Sequence, residues 1–428
     1  MAWWSFFSPV FWLWFLVFSG LAYAFPLISM GKFSRWCSLG LFLLKVAGAL
    51  LVWYVYTFYY PDLSKADIYR FFYDGITLHG FVDSQPGLFL KNMVGLGRDF
   101  EHHGQYFDHM ANWVHPHGNT MYNDNRLVIR FHALIAFFTD KQMTTHSLWF
   151  AFMAWLGTGW LARATGSFFK VSSAHVALPL FLIPGLLLWV GPPLKETLLV
   201  LFAAVLFAGF ARLKQDAGAV WGWIAIGLAT WLLLLTKFYV AALLLPTTGL
   251  FLFTYWIKRP QLYLPFLGAL LLALVVYDLS TDSVDLVHSI YFKQQNFLNL
   301  ALSEQSGSLI QQDYLENSLS GLMQALPQAW LNAFFEPLPS RWSWRNLPAL
   351  GDNLWFWGLL IWGSLKAPGA WTKPMLWYFL TMALLFFAIL GWTTPVLGAL
   401  FRYKVPLWFV AAPVLMKWIS TGELTWRK

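Results

Sequence analysis

Apolar runs separated by short polar turns alternate along most of this chain. They fall near 8–29, 38–60, 146–162, 174–190, 196–211, 219–235, 238–257, 261–278, 353–365, 374–391 and 399–416. Most approach the roughly 20 residues that a helix needs to cross a bilayer. The pattern predicts an all-α, polytopic membrane protein with about 11 transmembrane helices in a single membrane domain, residues 1–428. The run at 353–365 is the shortest. Two long polar stretches interrupt the series, 61–145 and 279–352. Within the first, residues 126–138 (RLVIRFHALIAFF) are apolar at helical spacing but too short to span, which predicts a helix lying at the membrane interface.

Composition agrees with this class. The 428 residues are 58% hydrophobic and 20% aromatic, and 11% are charged, where a soluble domain carries about a quarter. In such a chain the net charge of +8 reads as membrane orientation rather than nucleic-acid binding. With the N-terminus outside, the inner turns hold Lys32, Arg35, Arg163, Lys170, Arg212, Lys214, Lys258, Arg259, Lys366, Lys373, Lys417, Arg427 and Lys428, against Asp216 and Glu423 as their only acids. Cytoplasmic loops collect Lys and Arg, so both long stretches become extracytoplasmic loops and the C-terminus is cytoplasmic. Lys45, inside the second run, is expected to snorkel to the inner face. The segment FSGLAYAF, 18–25, has a small-x-small pattern, but no basic residue precedes it, so the first run reads as a retained span. A lone cysteine, Cys37, excludes an intramolecular disulfide and a cysteine-built metal centre.

The candidate chemistry gathers at the outer face. In SKADIYRFFYDG, 64–75, Asp67 and Asp74 share one helical face with Arg70 between them, just beyond the second span. The simpler reading of the spacing is a wetted juxtamembrane helix whose acids face water; the functional reading makes one carboxylate a general base near the interface. The following loop carries His102, His103, His109, His115 and His117 with Asp99, Glu101 and Asp108, types that bind transition metals but at no recognised ligand spacing. Arg126 and Arg130, four apart on the interfacial helix, read as a phosphate clamp or as an anchor to acidic lipid.

Further cations stand at helix ends. WVGPPLKETLL, 189–199, breaks at Pro192–Pro193 and restarts with Lys195 and Glu196. Glu196 suits the positive end of that helix, whereas Lys195 opposes it and would strengthen an anion site. Lys237 lies between two apolar runs with no charge near it in sequence, and a near-membrane cation of this kind is a functional candidate. Arg402 and Lys404 enter the final run together. Arg suits phosphate by its fork geometry and Lys as a point charge. A carboxylate beside such cations would fit an anionic lipid headgroup.

The segments SKADIYRFFYDG, YNDNRLVIRFHALIAFFT, LIPGLLLWVGPPLKETLLVL, LLLLTKFYVAALLLP and GALFRYKVPLWF resemble those of Bacteroidetes-type inner-membrane proteins, which look related to the GT-C superfamily of polyprenyl-phosphate-sugar-dependent glycosyltransferases. The resemblance implies a GT-C-like fold and an inverting transfer at the outer face of the bacterial inner membrane. It makes Asp67 the base, with Asp74 as runner-up, and Lys195, Lys237, Arg402 and Lys404 the holders of the lipid phosphate. The loop here follows the second span rather than the first, which implies an added N-terminal helix. No Asp-x-Asp pair stands in the first loop, so a metal-independent reaction without a cofactor is expected. The expected partners are a polyprenyl-phosphate sugar, membrane lipids and an unidentified glycan, lipid or protein acceptor. Two other activities fit the same features: an O-antigen polymerase or ligase joining lipid-linked oligosaccharides, and a transporter or flippase of lipid-linked glycans.

Overall fold

The computed structural model describes residues 6–25, 34–60, 62–95, 107, 109–113, 123–280 and 285–421. Among these the chain is all-helical, and no strand forms beyond an isolated bridge between Leu309 and Val396. Six helices in this range are long and apolar enough to cross a membrane: Arg35–Phe58, Lys195–Gln215, Phe238–Trp256, Pro260–Ser280, Pro374–Thr393 and Leu397–Ser420. Three shorter apolar helices, Pro9–Ala24, Ser173–Leu182 and Val220–Thr236, accompany them. This is a multi-pass helical membrane protein.

The chain forms two compact units. The first takes in Met1–Ala164, Leu186–Gly209 and Trp223–Ala241; the second takes in Thr165–Gly185, Phe210–Gly222 and Ala242–Lys428.

In the first unit, helices α1 (Pro9–Ala24) and α2 (Arg35–Phe58) pack together after serine N-caps, Ser8 and Ser34, whose hydroxyls accept the N–H of Phe11 and Cys37. Then come α3 (Asp67–Ser84), α4 (Pro86–Val94) and α5 (Arg126–Ile135). The stretch expected at the membrane interface packs on protein along one face. The stripe Val128, Ile129, His132 and Ala133 of α5 is buried, with α3 as its main neighbour, while Leu134, Phe137 and Phe138 stay exposed. Gly75 makes that approach possible, because a Cβ there would overlap the Cβ of His132. The lysine expected to snorkel does not. Lys45 is fully buried, and its ammonium donates to the Leu186 carbonyl at 2.8 Å.

The remaining helices are α6 (Met143–Phe169), α7 (Ser173–Leu182), α8 (Pro184–Trp189), α9 (Lys195–Gln215), α10 (Val220–Thr236), α11 (Phe238–Trp256), α12 (Tyr263–Ser280), α13 (Leu286–Ser303), α14 (Leu319–Phe335), α15 (Leu347–Lys366), α16 (Pro374–Thr393), α17 (Leu397–Tyr403) and α18 (Trp408–Thr421). The run expected as one helix over 174–190 is two, α7 and α8. Pro184 drives Ile183 out of the helical region to φ −60, ψ 128. The final run is likewise interrupted by a tight 3₁₀ turn, Val405–Leu407, at Pro406.

The stretch 279–352, expected as an outer loop, holds α13 and α14, both packed on α16 in the second unit. Trp330 Nε1 donates to the Leu384 carbonyl at 2.9 Å and Trp392 Nε1 to that of Leu322 at 3.1 Å, so α14 and α16 run antiparallel side by side. Their closest approach is at Gly391, where a Cβ would overlap the backbone of Ala329. A Gly391→Ala protein is expected to lose about 1–3 kcal/mol through this overpacking. Thermal unfolding of the purified protein in detergent checks it, and an unchanged midpoint would show that the two helices separate freely.

Candidate functional site

The stretch SKADIYRFFYDG enters α3 through a 3₁₀ turn, Leu63–Lys65, capped by Asp62, whose carboxylate accepts the Ser64 N–H at 2.9 Å. Arg70 reaches back to the Ser64 carbonyl at 2.5 Å and holds the turn against the helix. Asp67 is the first residue of α3, where a carboxylate suits the positive helix end, and it is half-exposed. Asp74, two turns on, is buried.

The two acids therefore have different surroundings. Both oxygens of Asp74 accept backbone N–H groups, Oδ1 from Ala111 at 2.9 Å and Oδ2 from Asn112 at 2.8 Å. Asn123 Nδ2 donates to the carbonyls of Asn112 and Trp113, and Arg126 Nε donates to the same Trp113 carbonyl at 3.1 Å. Side chains thus fix the backbone of 111–113, and Asp74 is one of the clamps. Of the two acids, Asp67 keeps access to solvent.

Burial pushes the Asp74 carboxyl up from 3.8 to about 6, against the pull of its backbone donors and of Arg70. The folded state thus holds a proton that the unfolded state gives up between those values. Stability is therefore lost as pH rises from about 4 to about 6 and is flat above. Asp74→Asn is expected to abolish that slope. It should also cost about 1–3 kcal/mol, because an amide N–H would face a backbone N–H. Unfolding midpoints taken across this pH range, for both proteins, check the sign.

Lys195 opens α9 and forms an ion pair with Asp124 at 2.7 Å. Its ammonium also stands 5.7 Å from the centre of the Phe71 ring. Phe71 lies one turn beyond Asp67 on the same face of α3, so the lysine approaches the face that carries the half-exposed acid. The next residue, Glu196, binds Lys237 at 2.6 Å with both groups buried. The sequence reading of Lys237 as a cation with no charge nearby is corrected here: its partner comes from another helix. The bend before α9 is held by Thr197, whose hydroxyl donates to the Pro192 carbonyl at 3.0 Å and accepts the Gly191 N–H at 3.1 Å.

Arg126 and Arg130 do point the same way, and both lie over the Trp113 ring, at 5.4 and 5.5 Å. Arg130 Nε donates to the Asn92 carbonyl at 2.7 Å. Burial, with the nearby Arg126 charge, lowers the Arg130 guanidinium to about 10, and burial alone lowers that of Arg126. A further pair escapes the sequence reading: His132 and His146, stacked at 14° with Nδ1 to Nδ1 at 2.9 Å. Burial holds His132 well below the usual imidazole range, so it is neutral.

Arg402 and Lys404 belong to the second unit. Lys404 is buried, donates to Asn353 Oδ1 at 3.0 Å and stands 5.8 Å from the Phe387 ring. Asn353 in turn donates to the Glu336 carbonyl at 2.8 Å. Asp352 accepts from the Gly185 N–H at 3.0 Å and from Trp408 Nε1 at 3.1 Å. Glu336, Asp352 and Asn353 were not singled out by spacing, because each reads as part of a polar helix entrance. Arg402 is half-buried against Tyr403, its Cζ 5.2 Å from the ring centre. Of the two predicted cations here, Arg402 is the one near the surface.

His109 is exposed, while Asp99, Glu101, His102, His103, Asp108, His115 and His117 lie outside the described residues. Among the described residues no group of three or more His, Cys, Asp or Glu side chains could hold a metal ion. Comparison with protein-family models, curated proteins and solved structures gives no match.

Proposed function

We propose that this chain is a GT-C-like glycosyltransferase of the bacterial inner membrane, moving a sugar from a polyprenyl-phosphate carrier to an acceptor hydroxyl at the outer face. What carries the reading is one juxtaposition in the first unit: Lys195, at the start of α9, reaches the face of α3 on which Asp67 is half-exposed. The N-terminus is outside, and the eleven apolar runs cross the membrane.

In this reading Asp67 takes the proton of the acceptor hydroxyl. The acceptor oxygen attacks the anomeric carbon from the side opposite the phosphate. The bond from that carbon to the phosphate oxygen breaks, and polyprenyl phosphate leaves with the electron pair. Configuration inverts, and no redox change or cofactor is needed. The charge growing on the leaving phosphate needs cations already in place. Lys195 meets the α3 face of Asp67 at the Phe71 ring, and its ion pair with Asp124 holds it there until an anion competes for it. Lys237, bound by Glu196, supports the helix start from behind rather than touching the phosphate.

The experiment is turnover by the full chain in nanodiscs with labelled polyprenyl-phosphate hexoses and a membrane extract as acceptor source. The expected result is acceptor-dependent release of polyprenyl phosphate. Movement of intact donor across proteoliposomes, without cleavage, would overturn transfer in favour of transport.

A further inference from the structure

The second unit carries an exposed aromatic turn, LPSRWSWRNL, between α14 and α15. Trp342 and Trp344 are 58% and 67% exposed, far more than the tryptophans of the core. Their backbone explains how they are displayed. Trp342 (φ −67, ψ 123) and Ser343 (φ −150, ψ 161) are extended, and side chains two apart in extended chain share a face. The turn is held rigidly from behind. Trp342 Nε1 donates to the Pro337 carbonyl at 3.2 Å, and Asn346 Nδ2 to that of Arg341 at 2.9 Å. Arg341 is itself fixed by the Leu309 carbonyl at 2.5 Å and by Glu336 at 3.5 Å. Arg345 is exposed, with its guanidinium 5.4 Å from the centre of the Trp344 ring.

The helix that follows indicates what covers this turn. Along α15 the exposed residues Leu347, Leu354, Ile361 and Leu365 form one stripe. The opposite face, Ala349, Asp352, Asn353, Phe356, Leu359 and Gly363, is buried. Polar residues inside and leucines outside is the arrangement of a lipid-facing helix. At about 1.5 Å per residue the stripe from 347 to 365 is about 27 Å long, close to the roughly 30 Å of a bilayer's hydrocarbon core. At its far end stand Trp362, Lys366 and Trp371, all exposed. Indoles and cations thus bracket the apolar stripe at both ends, as interfacial anchors do.

We propose that the 338–347 turn is a membrane-interface anchor. Trp342 and Trp344 lie among the phosphate-bearing lipid headgroups, with Arg345 on a lipid phosphate, and α15 is a full span although its composition leaves it outside the six apolar helices named above. The anchor sets the depth of α15, and with it the level at which Asp352 and Asn353 meet Lys404. This inference rests on the membrane setting alone and is independent of the reaction proposed above.

The test uses the full chain carrying Cys37→Ser and one added cysteine, reconstituted in phosphatidylcholine–phosphatidylglycerol vesicles. A nitroxide is attached at Trp344→Cys, Leu354→Cys or Glu304→Cys, the last being an exposed position away from the stripe. Collision with oxygen and with a water-soluble nickel chelate is then compared by power saturation. Chelate collision is expected to be several-fold lower at 344 than at 304, and lower again at 354, with oxygen collision rising in the same order. Chelate access at 344 equal to that at 304 would overturn the proposal. So would shielding of 344 from both reagents, which would mean a protein partner or a second copy of this chain. A Leu347→Cys label guards against local disturbance by the loss of Trp344 and must fall between 344 and 354.

Discussion

Replacing Glu196 with glutamine is expected to cost about 3–5 kcal/mol of stability, the penalty for leaving one member of a buried ion pair without its partner. Glu196 and Lys237 are 1% and 5% exposed and sit 2.6 Å apart, so solvent cannot take over the role of the lost charge. The amide keeps the shape and one acceptor but no longer balances the ammonium. Lys237→Met should be as damaging, because it strands the carboxylate. The double replacement Glu196→Met with Lys237→Met removes both charges at similar volume and is expected to recover most of the loss. Thermal unfolding of the four proteins in one detergent gives the ordering. Glu196→Gln as stable as the parent would mean that the pair is wet or open.

Asp67→Asn should leave the fold intact and lower turnover by roughly 10²–10⁴-fold, the usual worth of a positioned general base. Stability should move less than for a buried acid, because Asp67 is half-exposed at the first turn of α3 and solvent can take over part of what its charge does there. In the proposed reaction the donor's affinity should also change little, since that proposal gives its phosphate to cations and not to this acid. Asp67→Glu should recover part of the rate, as the carboxylate returns at a displaced position. Asp74→Asn should instead act mainly on stability, since both Asp74 oxygens are engaged by the 111–112 backbone. If the two asparagine proteins behaved alike, Asp67 would have no special place in the chemistry.

Much of the fold was legible because membrane helices are read from long apolar runs, and each marked run is mainly helical over its described residues. What failed were the breaks. Pro184 and Pro406 each sit in apolar surroundings, and hydropathy does not register the missing N–H that ends a helix. The stretch 279–352 read as a loop because α13 carries scattered polar residues, and the packing of α14 on α16 depends on Gly391, a single small residue some distance away. For the candidate site, sequence drew attention to Lys195, Lys237 and the α3 acids by their isolation in apolar context. It could not pair them. Spacing along one helix says nothing about which carboxylate a second helix brings within 3 Å, so Asp124 and Glu196 emerged as partners only in three dimensions. Lys45 was misjudged for the same reason, reaching inward to a protein carbonyl instead of outward to solvent, and the Asn353 partner of Lys404 was equally out of reach of spacing.

The account depends most on the side of the membrane that the α3 entrance occupies. The direct measurement is labelling of Ser64→Cys, exposed in the turn before Asp67, in a Cys37→Ser background with a membrane-impermeant maleimide. In sealed right-side-out vesicles the account predicts full labelling without permeabilisation. Labelling that appears only after the vesicles are opened would put Asp67 and Lys195 in the cytoplasm, and a donor presented at the outer leaflet could not reach them.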